Sequence, residues 1–388
     1  MQRERWAVAA MFMANGLIIG AWAPQIPLLL PRHGIDKAQL GLLILLLGLG
    51  AVGAMLLSGQ LIARHGSRLV LAVLSVAVMV ALPLVVFAPD LWLLAPAMVV
   101  FGALVGMMDV AMNANAVLVE RRLGRAIMSS SHGFWSLGGF AGGALGGLFL
   151  DRFGAGAQAL AVAAAVLAMA LTAIPFLAPD PPAAPVATGH NGGRRRLLPR
   201  DPGLWLIGGL ALAAMVPEGA ILDWAALYLR QELGTDVARS GLAFALFSGA
   251  MAAMRFAGDG IRNRFGAVAV ARISGLIGAA GLLIAAAAPV DGLAIAGFAL
   301  AGLGIANMVP IMFSAAGNHP GLPAGVGIST VTMLGYCGIL VAPSTIGFVA
   351  EHIGFRITYA VLAGLLVLVA ALAGRVAAAD GARAACPA

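Results

Sequence analysis

Charged residues are scarce in this chain. They make up 10% of the 388 residues, whereas 61% are hydrophobic, and the mean hydropathy is +0.99. Because soluble globular proteins carry about 25% charged residues, this composition excludes a soluble enzyme and predicts a protein whose solvent is lipid. The net charge of +7 comes almost wholly from arginines scattered between apolar segments. Such scattering excludes a nucleic-acid-binding patch.

Cysteine is nearly absent too. Cys337 lies in an apolar run and Cys386 in the polar tail, so a disulfide framework is excluded. The sequence has no His-Glu-x-x-His or Gly-x-Ser-x-Gly motif, and its glycine-rich segments lie inside apolar runs rather than in phosphate-binding loops. We therefore expect no enzymatic activity, no metal site and no cofactor.

Long apolar runs fill most of the chain. A helix needs about 20 apolar residues, at ~1.5 Å each, to cross a bilayer. The runs predict twelve such helices, at residues 6–30, 38–62, 69–88, 91–118, 126–150, 158–178, 203–229, 239–257, 267–288, 292–314, 324–349 and 357–376. A proline-rich and arginine-rich stretch predicts a linker over 179–202, between a six-helix bundle over 1–178 and a second over 203–388 that ends in a short tail.

The arginines also predict an orientation. Most of them fall in segments that face the cytoplasm if both termini do, as the positive-inside rule requires. We therefore predict a multi-pass protein of the cell inner membrane with cytoplasmic termini and a cytoplasmic linker. We expect a monomer whose partners are the lipid bilayer and a small-molecule substrate, with no nucleic acid.

The two halves repeat each other at an offset of 200 residues. Arg64-His-Gly66 matches Arg264-Phe-Gly266, and the Gly-Ile-Asp segment that begins at Gly34 matches Gly-Thr-Asp at Gly234. A shared hydrophobic bias does not explain matches between polar loop positions. Paired six-helix repeats are typical of transporters whose halves rock about a central site.

Two segments carry a family resemblance. The segment Gly-Gln-Leu-Ile-Ala-Arg-His-Gly-Ser-Arg over 59–68 resembles the signature loop of the major facilitator superfamily, and Pro343-x3-Gly347-x3-Glu351 resembles a second recurring pattern of that superfamily. The resemblance implies two pseudo-symmetric six-helix bundles, alternating access and a substrate held near the middle of the bilayer. The loop departs from the pattern at Ala63, where the superfamily usually has aspartate, and the equivalent position in the second half is Asn263.

Within that superfamily, Asp109-Val-Ala-Met-Asn113 resembles a segment of the fucose–proton symporters. The chain as a whole is similar to a little-characterised bacterial inner-membrane branch, which has an acidic residue at the place of Asp109 and a His-Gly pair at the place of His132-Gly133. These likenesses favour transport of a sugar or sugar-like metabolite.

Three carboxylates fall well inside the predicted spans, where a charge costs about 2.5–3.5 kcal/mol. Asp109 lies near mid-depth and Glu218 follows Pro217, which loosens its helix. We predict that Asp109, Glu218 and His132 take part in proton coupling. The alternative for Asp109 and His132 is a buried polar cluster that ties two helices together.

Neutral and acidic polar groups in the spans are the candidate substrate ligands. Trp22 and Trp224 occupy nearly equivalent places in the two halves and can stack on a sugar ring, although an interfacial aromatic belt explains them as well. The predicted substrate-binding residues are Asn15, Trp22, Gln25, Asn113, Glu218, Asp223, Trp224, Asn307 and Tyr336.

Four charged residues near the predicted cytoplasmic ends are candidates for gating: Arg64, Arg68, Arg255 and Asp259. Arg255 and Asp259 stand four residues apart, so we expect them to pair on one helix face. No arginine or lysine is expected at mid-depth, which disfavours anionic substrates.

The sequence therefore predicts an all-α secondary active transporter, a symporter that moves a small polar solute with protons. A proton-driven exporter of drugs or metabolites is the alternative, and a non-transporting membrane receptor or scaffold is a second one.

Overall fold

The computed structural model of the protein describes residues 1–35, 37–180, 199–235 and 237–381. Most of the predicted linker, at 181–198, lies outside the described residues, as does Cys386. The chain forms two compact units: the first contains Met1–Leu123, Phe134–Asp201 and Gly321–Thr330, and the second contains Gly124–Gly133, Pro202–Pro320 and Val331–Ala388.

All regular structure in the described part of the chain is helical. The first half contains α1 Gln2–Trp22, α2 Ile26–His33, α3 Lys37–His65, α4 Ser67–Ala77, α5 Ala81–Val86, α6 Leu91–Leu123, α7 Met128–Phe153 and α8 Ala155–Ala173. Short 3₁₀ turns at Ala23–Gln25, Val78–Val80 and Ile174–Phe176 join or extend them. The first residues of α7 belong to the second unit and the rest of the helix to the first.

The second half follows the same order. It contains α9 Pro202–Leu233, α10 Val237–Phe265, α11 Ala267–Ala287, α12 Asp291–Ile305, α13 Met308–Gly317, α14 Ala324–Ile353, α15 Phe355–Ala371 and a final 3₁₀ segment Ala373–Asp380. The first residues of α14 belong to the first unit and the rest to the second.

Ten of the described helices are long and apolar enough to cross a membrane, and the bent pair Phe355–Ala371 and Ala373–Asp380 makes an eleventh. The remaining predicted span, 239–257, corresponds to α10, which has 29 residues but carries Arg255, Asp259, Arg262 and Arg264 in its second half. This helix is therefore the polar member of the set.

Glycines allow several helices to approach backbone to backbone. A Cβ atom at Gly16 would collide with the carbonyl oxygen of Trp135, and one at Gly138 would collide with that of Met13, so α1 and α7 pack through small residues. Such contacts between small residues are a main source of helix association in lipid. They account for much of the chain's content of 52 glycines.

The duplication is visible in the backbone. Gly66 and Gly266 have φ angles of +82° and +81° and each precedes a helix, α4 and α11 respectively. A side chain is strained at such an angle, so glycine is required at both places.

A carboxylate caps each of these two helix starts. Asp180 accepts hydrogen bonds from the backbone N–H of Ser67 at 2.7 Å and of Arg68 at 2.9 Å, and from the Ser67 hydroxyl at 2.8 Å. Asp380 accepts one from the N–H of Ala267 at 2.7 Å. The two aspartates are separated by 200 residues, so the repeat extends into segments that the sequence analysis had assigned to the linker and the tail.

We predict that Asp180→Ala lowers the stability of the detergent-solubilised protein by about 1 kcal/mol, because the start of α4 loses its cap. Thermal unfolding measures the change. Asp151→Ala is the matched control, since it removes an exposed carboxylate from the last turn of α7. Equal melting temperatures for Asp180→Ala and the control would contradict the assigned role.

Candidate functional site

In the first unit, Asp109 lies close to the middle of α6 and is 4% exposed. Its Oδ2 atom is buried and has no hydrogen-bond partner in the described part of the chain. Its Oδ1 atom is 3.4 Å from the Nδ2 of Asn113, which also donates to the Asp109 carbonyl oxygen at 2.9 Å. An amide on the same helix therefore contacts one oxygen of the carboxylate, and the other oxygen has no hydrogen-bond partner among the described residues.

Asn15 joins three helices one turn away from Asp109. Its Nδ2 donates to the carbonyl oxygen of Val105 in α6 at 3.2 Å, and its Oδ1 accepts from the indole N–H of Trp135 in α7 at 3.0 Å. Asn15 is 1% exposed. In this conformation its amide fastens α1, α6 and α7 together, a role that the sequence analysis did not weigh for it.

In the second unit, Glu218 near the middle of α9 pairs with Arg255 of α10. The Nη2–Oε1 distance is 3.3 Å, and the side chains are 8% exposed for Arg255 and 30% for Glu218. Glu218 lies near the middle of its helix, so the Arg255 guanidinium that contacts it reaches the middle of a span. This corrects the expectation that no arginine or lysine lies at mid-depth. Sequence spacing along α10 alone cannot reveal a partner on α9.

A helix break stands beside this pair. Pro310 has no N–H, so the carbonyl oxygen of Ala306, four residues earlier, has no donor within its helix. The Nε of Arg255 reaches that oxygen at 3.5 Å, and α12 ends at Ile305 while α13 begins at Met308. The missing helical hydrogen bond is thus replaced by one from a charged side chain.

Asn307 lies in this break and is 1% exposed. Its Nδ2 and Oδ1 atoms are both buried without a partner in the described part of the chain. A Cβ atom at Gly258 would collide with the Asn307 Oδ1, so the amide lies directly on α10, one turn after Arg255. We call Glu218, Arg255 and Asn307 the second-half polar cluster.

The two tryptophans have different surroundings. Trp22 is 6% exposed and packs edge-on against Phe101, with ring centroids 5.5 Å apart. Trp224 lies against Gly347, where a Cβ atom would come within 2.8 Å of the indole ring. Its Nε1 is buried and has no partner among the described residues. The glycine of the second recurring motif thus makes room for this indole.

The other predicted ligands are dispersed. Gln25 donates to Gln158 Oε1 at 2.7 Å and to the carbonyl oxygen of Ala155 at 3.2 Å, which ties the 3₁₀ turn after α1 to the start of α8. Asp223 is exposed and Tyr336 is half-buried. His132 is half-buried in the second unit, with its ring centroid 5.8 Å from that of Phe313.

The predicted gating residues separate into two kinds. Arg64 and Arg68 are exposed, and for Arg68 it is the backbone N–H that bonds, to Asp180. Asp259 is 8% exposed and accepts hydrogen bonds from the N–H groups of Ser129 and Ser130, both at 2.9 Å. The structure gives Arg255 and Asp259 partners on α9 and α7, beyond the pairing along α10 that the spacing suggested.

The sequence analysis did not predict four residues that make these contacts. Asp180 and Asp380 accept hydrogen bonds at equivalent helix starts, Trp135 donates to Asn15, and Gln158 accepts from Gln25. Extending the 200-residue offset past residue 178 would have found the two aspartates. No group of three His, Cys, Asp or Glu side chains that could hold a metal ion occurs among the described residues.

Comparison with known proteins identifies the family to which this architecture belongs. The model of the Major Facilitator Superfamily matches residues 7–326 and 224–384. An uncharacterised MFS-type transporter of Yersinia pestis is 38% identical over 364 residues, which cover 93% of each chain. The chain belongs to the Major Facilitator Superfamily.

Two solved structures share the fold. The fucose:proton symporter FucP of E. coli superposes with a TM-score of 0.73 at 16% identity, covering 95% of this chain and 98% of FucP. The human organic anion transporter MFSD10 gives 0.73 at 16% identity, covering 96% of this chain and 99% of its own. At this identity the likeness shows the fold alone.

These findings confirm the predicted family and the all-α, twelve-helix, two-bundle membrane fold. They also confirm that the protein is a transporter rather than an enzyme, because the family and the Yersinia relative are transporters. It is a multi-pass membrane protein that acts on a small-molecule substrate.

We predict that Glu218→Met and Arg255→Met each destabilise the protein, because each removes one partner of a largely buried ion pair in the second unit, whereas the double variant regains part of the loss. The expected coupling in a double-mutant cycle is about 1–3 kcal/mol. Thermal unfolding of the four proteins in one detergent measures it. Strictly additive effects would show that the two side chains do not interact.

Proposed function

We propose that the protein is a proton-coupled secondary transporter that moves a small polar solute, with a sugar or sugar-like metabolite favoured. The observation that carries the proposal is the Asp109 carboxylate, buried near the middle of α6, one oxygen of which has no hydrogen-bond partner among the described residues. Its charge is costly while the site is dry and inexpensive when water reaches it. A group in such a place is suited to take up a proton on one side and release it on the other.

Asn113 supports this role because its amide nitrogen lies 3.4 Å from the Asp109 Oδ1, and an amide N–H can donate to a carboxylate oxygen or to the carbonyl oxygen of the protonated acid. At 4% exposure Asp109 exchanges no proton freely in this conformation, so loading and release require the helices around it to move. Glu218 and His132, both partly exposed in the second unit, are the further groups that we propose for the proton path.

The second-half polar cluster supports a neutral substrate. The Glu218 carboxylate accepts hydrogen bonds and the Arg255 guanidinium donates them, while their charges balance. A neutral polyol can bond to both without leaving a net charge in the membrane. Two side-chain atoms of Asn307 and the indole N–H of Trp224 have no partner in the part of the chain that the structure describes, so they can bond to hydroxyl groups.

The remaining features of the proposal are the membrane and the orientation. The arginine distribution supports an inner-membrane protein with cytoplasmic termini, and we propose that it works as a monomer. On this orientation α7 and α14 begin at the cytoplasmic side, and α3 and α10 end there.

We predict that a neutral sugar or polyol stabilises the purified protein and drives proton entry into proteoliposomes that contain a trapped pH-sensitive dye. The probes are a panel of monosaccharides, polyols and monocarboxylates, screened first by thermal shift. Asp109→Asn should reduce solute-driven proton entry to the level of protein-free vesicles and keep solute counterflow, because exchange needs no net proton movement.

Asp151→Asn is the control, since it neutralises an exposed carboxylate at the end of α7. Normal proton entry in Asp109→Asn would refute the coupling role. A response confined to monocarboxylates would refute the neutral substrate and reassign Arg255 as an anion ligand, whereas dye extrusion without uptake would favour an exporter.

A further inference from the structure

Asn307 stands at a helix start where the usual bond of such a side chain is missing. It is the residue before α13, a position at which an asparagine ordinarily accepts a hydrogen bond from the N–H of the second or third helical residue. The third residue of α13 is Pro310, which has no N–H, and the Asn307 side chain makes no capping bond. Helix capping therefore does not explain an asparagine that is 1% exposed.

The neighbouring groups leave this amide unsatisfied. It lies against Gly258 of α10, which has no side chain, and neither its Nδ2 nor its Oδ1 has a hydrogen-bond partner among the described residues. The backbone oxygen that loses its helical donor to Pro310 is that of Ala306, and the Nε of Arg255 already contacts it at 3.5 Å. These residues all belong to the second unit, so the arrangement is internal to it.

An unsatisfied amide lowers the stability of the protein that carries it. A buried polar group without a partner costs free energy, and it finds little water in a membrane to relieve that cost. Binding sites keep such groups because a ligand can supply the missing bonds, so that stability is given up for function. The Asn307 amide therefore points to a ligand rather than to packing.

Arg255 connects this amide to the more exposed side of the second-half polar cluster. Its Nη2 lies 3.3 Å from the Glu218 Oε1, and its Nε contacts the carbonyl oxygen of the residue before Asn307. The Glu218 side chain is 30% exposed and that of Arg255 is 8% exposed, whereas Asn307 is 1% exposed. The carboxylate is therefore the accessible end of the cluster, and the amide is the buried end.

We propose that Asn307 is the specificity-determining residue of the second unit and that it selects solutes with hydroxyl groups on adjacent carbons. Its Nδ2 donates to the oxygen of one hydroxyl, and its Oδ1 accepts from the next hydroxyl. A solute that lacks one of the two leaves an amide atom buried and unpaired, which costs affinity. The inference rests on the proposed function and narrows its neutral polar solute to a vicinal diol, the arrangement found in sugars and polyols.

The first test needs no solute. Asn307→Leu keeps the branched shape of the side chain and removes both unsatisfied atoms, so it should raise the melting temperature of the detergent-solubilised protein by about 2–4 °C. An unchanged or lower melting temperature would overturn the proposal, because the amide would then be satisfied within the unloaded protein.

Asn115→Leu is the matched control for this test. Asn115 is also fully buried, but its Nδ2 donates to the Ser67 hydroxyl and to the carbonyl oxygen of Ala178, both at 3.0 Å. Its replacement leaves those groups without a donor, so the melting temperature should fall.

The second test adds defined solutes. The probes are D-glucose, D-galactose and D-mannitol, each beside its deoxy analogues that lack one hydroxyl, and isothermal titration calorimetry gives the Kd. Asn307→Leu should raise the Kd of a sugar that the parent binds by about 10- to 100-fold. It should also lose the parent's preference for that sugar over the deoxy analogue without the contacted hydroxyl, a change that a merely structural role would not produce.

Gly258→Ala approaches the same contact from α10 and carries the test if Asn307→Leu does not fold, as judged by gel filtration. Its Cβ atom collides with the Asn307 Oδ1 and displaces the amide, so the Kd for the sugar should rise about 10-fold. Gly260→Ala on the same helix should keep the parent's Kd, because a Cβ atom there meets nothing within 4 Å.

Equal sugar affinity in the parent, Asn307→Leu and Gly258→Ala would overturn the role of Asn307 and leave proton-coupled transport of a neutral solute standing. A parent protein that binds none of the sugars or polyols would refute the neutral substrate of the proposed function and the vicinal diol with it. The two failures are therefore told apart by whether the parent binds a sugar.

Discussion

Carboxylates that accept N–H groups at helix starts are the interaction on which this fold depends. Asp180 binds the start of α4, Asp380 that of α11 and Asp259 that of α7. Glu232 binds the N–H of Phe355 at the start of α15 at 2.6 Å and pairs with Arg356 at 3.4 Å. Each bond joins parts of the chain that are distant in sequence. In surroundings with little water such donors must be satisfied inside the protein, so a few acidic residues fix where an otherwise apolar set of helices begins.

The fold could be predicted from the sequence, whereas the hydrogen-bond and ion-pair partners of the candidate site residues could not. Apolar runs locate the helices because hydrocarbon thickness dictates their length, and the 200-residue repeat predicts two similar halves. Arg255 shows the limit: its spacing to Asp259 is visible in the sequence, whereas Glu218 on another helix is not. Asn15 shows the same limit, because its amide on α1 bonds to residues of α6 and α7 that are distant in sequence. Which buried polar group serves packing and which is left unpartnered depends on side chains that meet only after folding.

The halves have kept their backbone and diverged in their polar interior. The glycines with positive φ recur at equivalent places, as Gly66 and Gly266 do. By contrast, Asp109 is matched by Val309 and Glu218 by Ile18. A duplicated scaffold with unlike interiors gives each half a separate task. The proton group in our proposal stands in the first half, and the cluster proposed to contact the solute stands in the second.

The break at Asn307 also links two residues that look unrelated in the sequence. Because Pro310 has no N–H, the Ala306 carbonyl oxygen lacks its helical donor, and Arg255 donates to it instead. Replacing Pro310 by a residue with an N–H would restore the helical hydrogen bond and occupy the oxygen that Arg255 now contacts. Replacing Arg255 alone would leave the Ala306 carbonyl oxygen without this donor. The two positions should thus be inherited as a pair across descendants, and an ancestral change at either one would have been tolerated only alongside a change at the other.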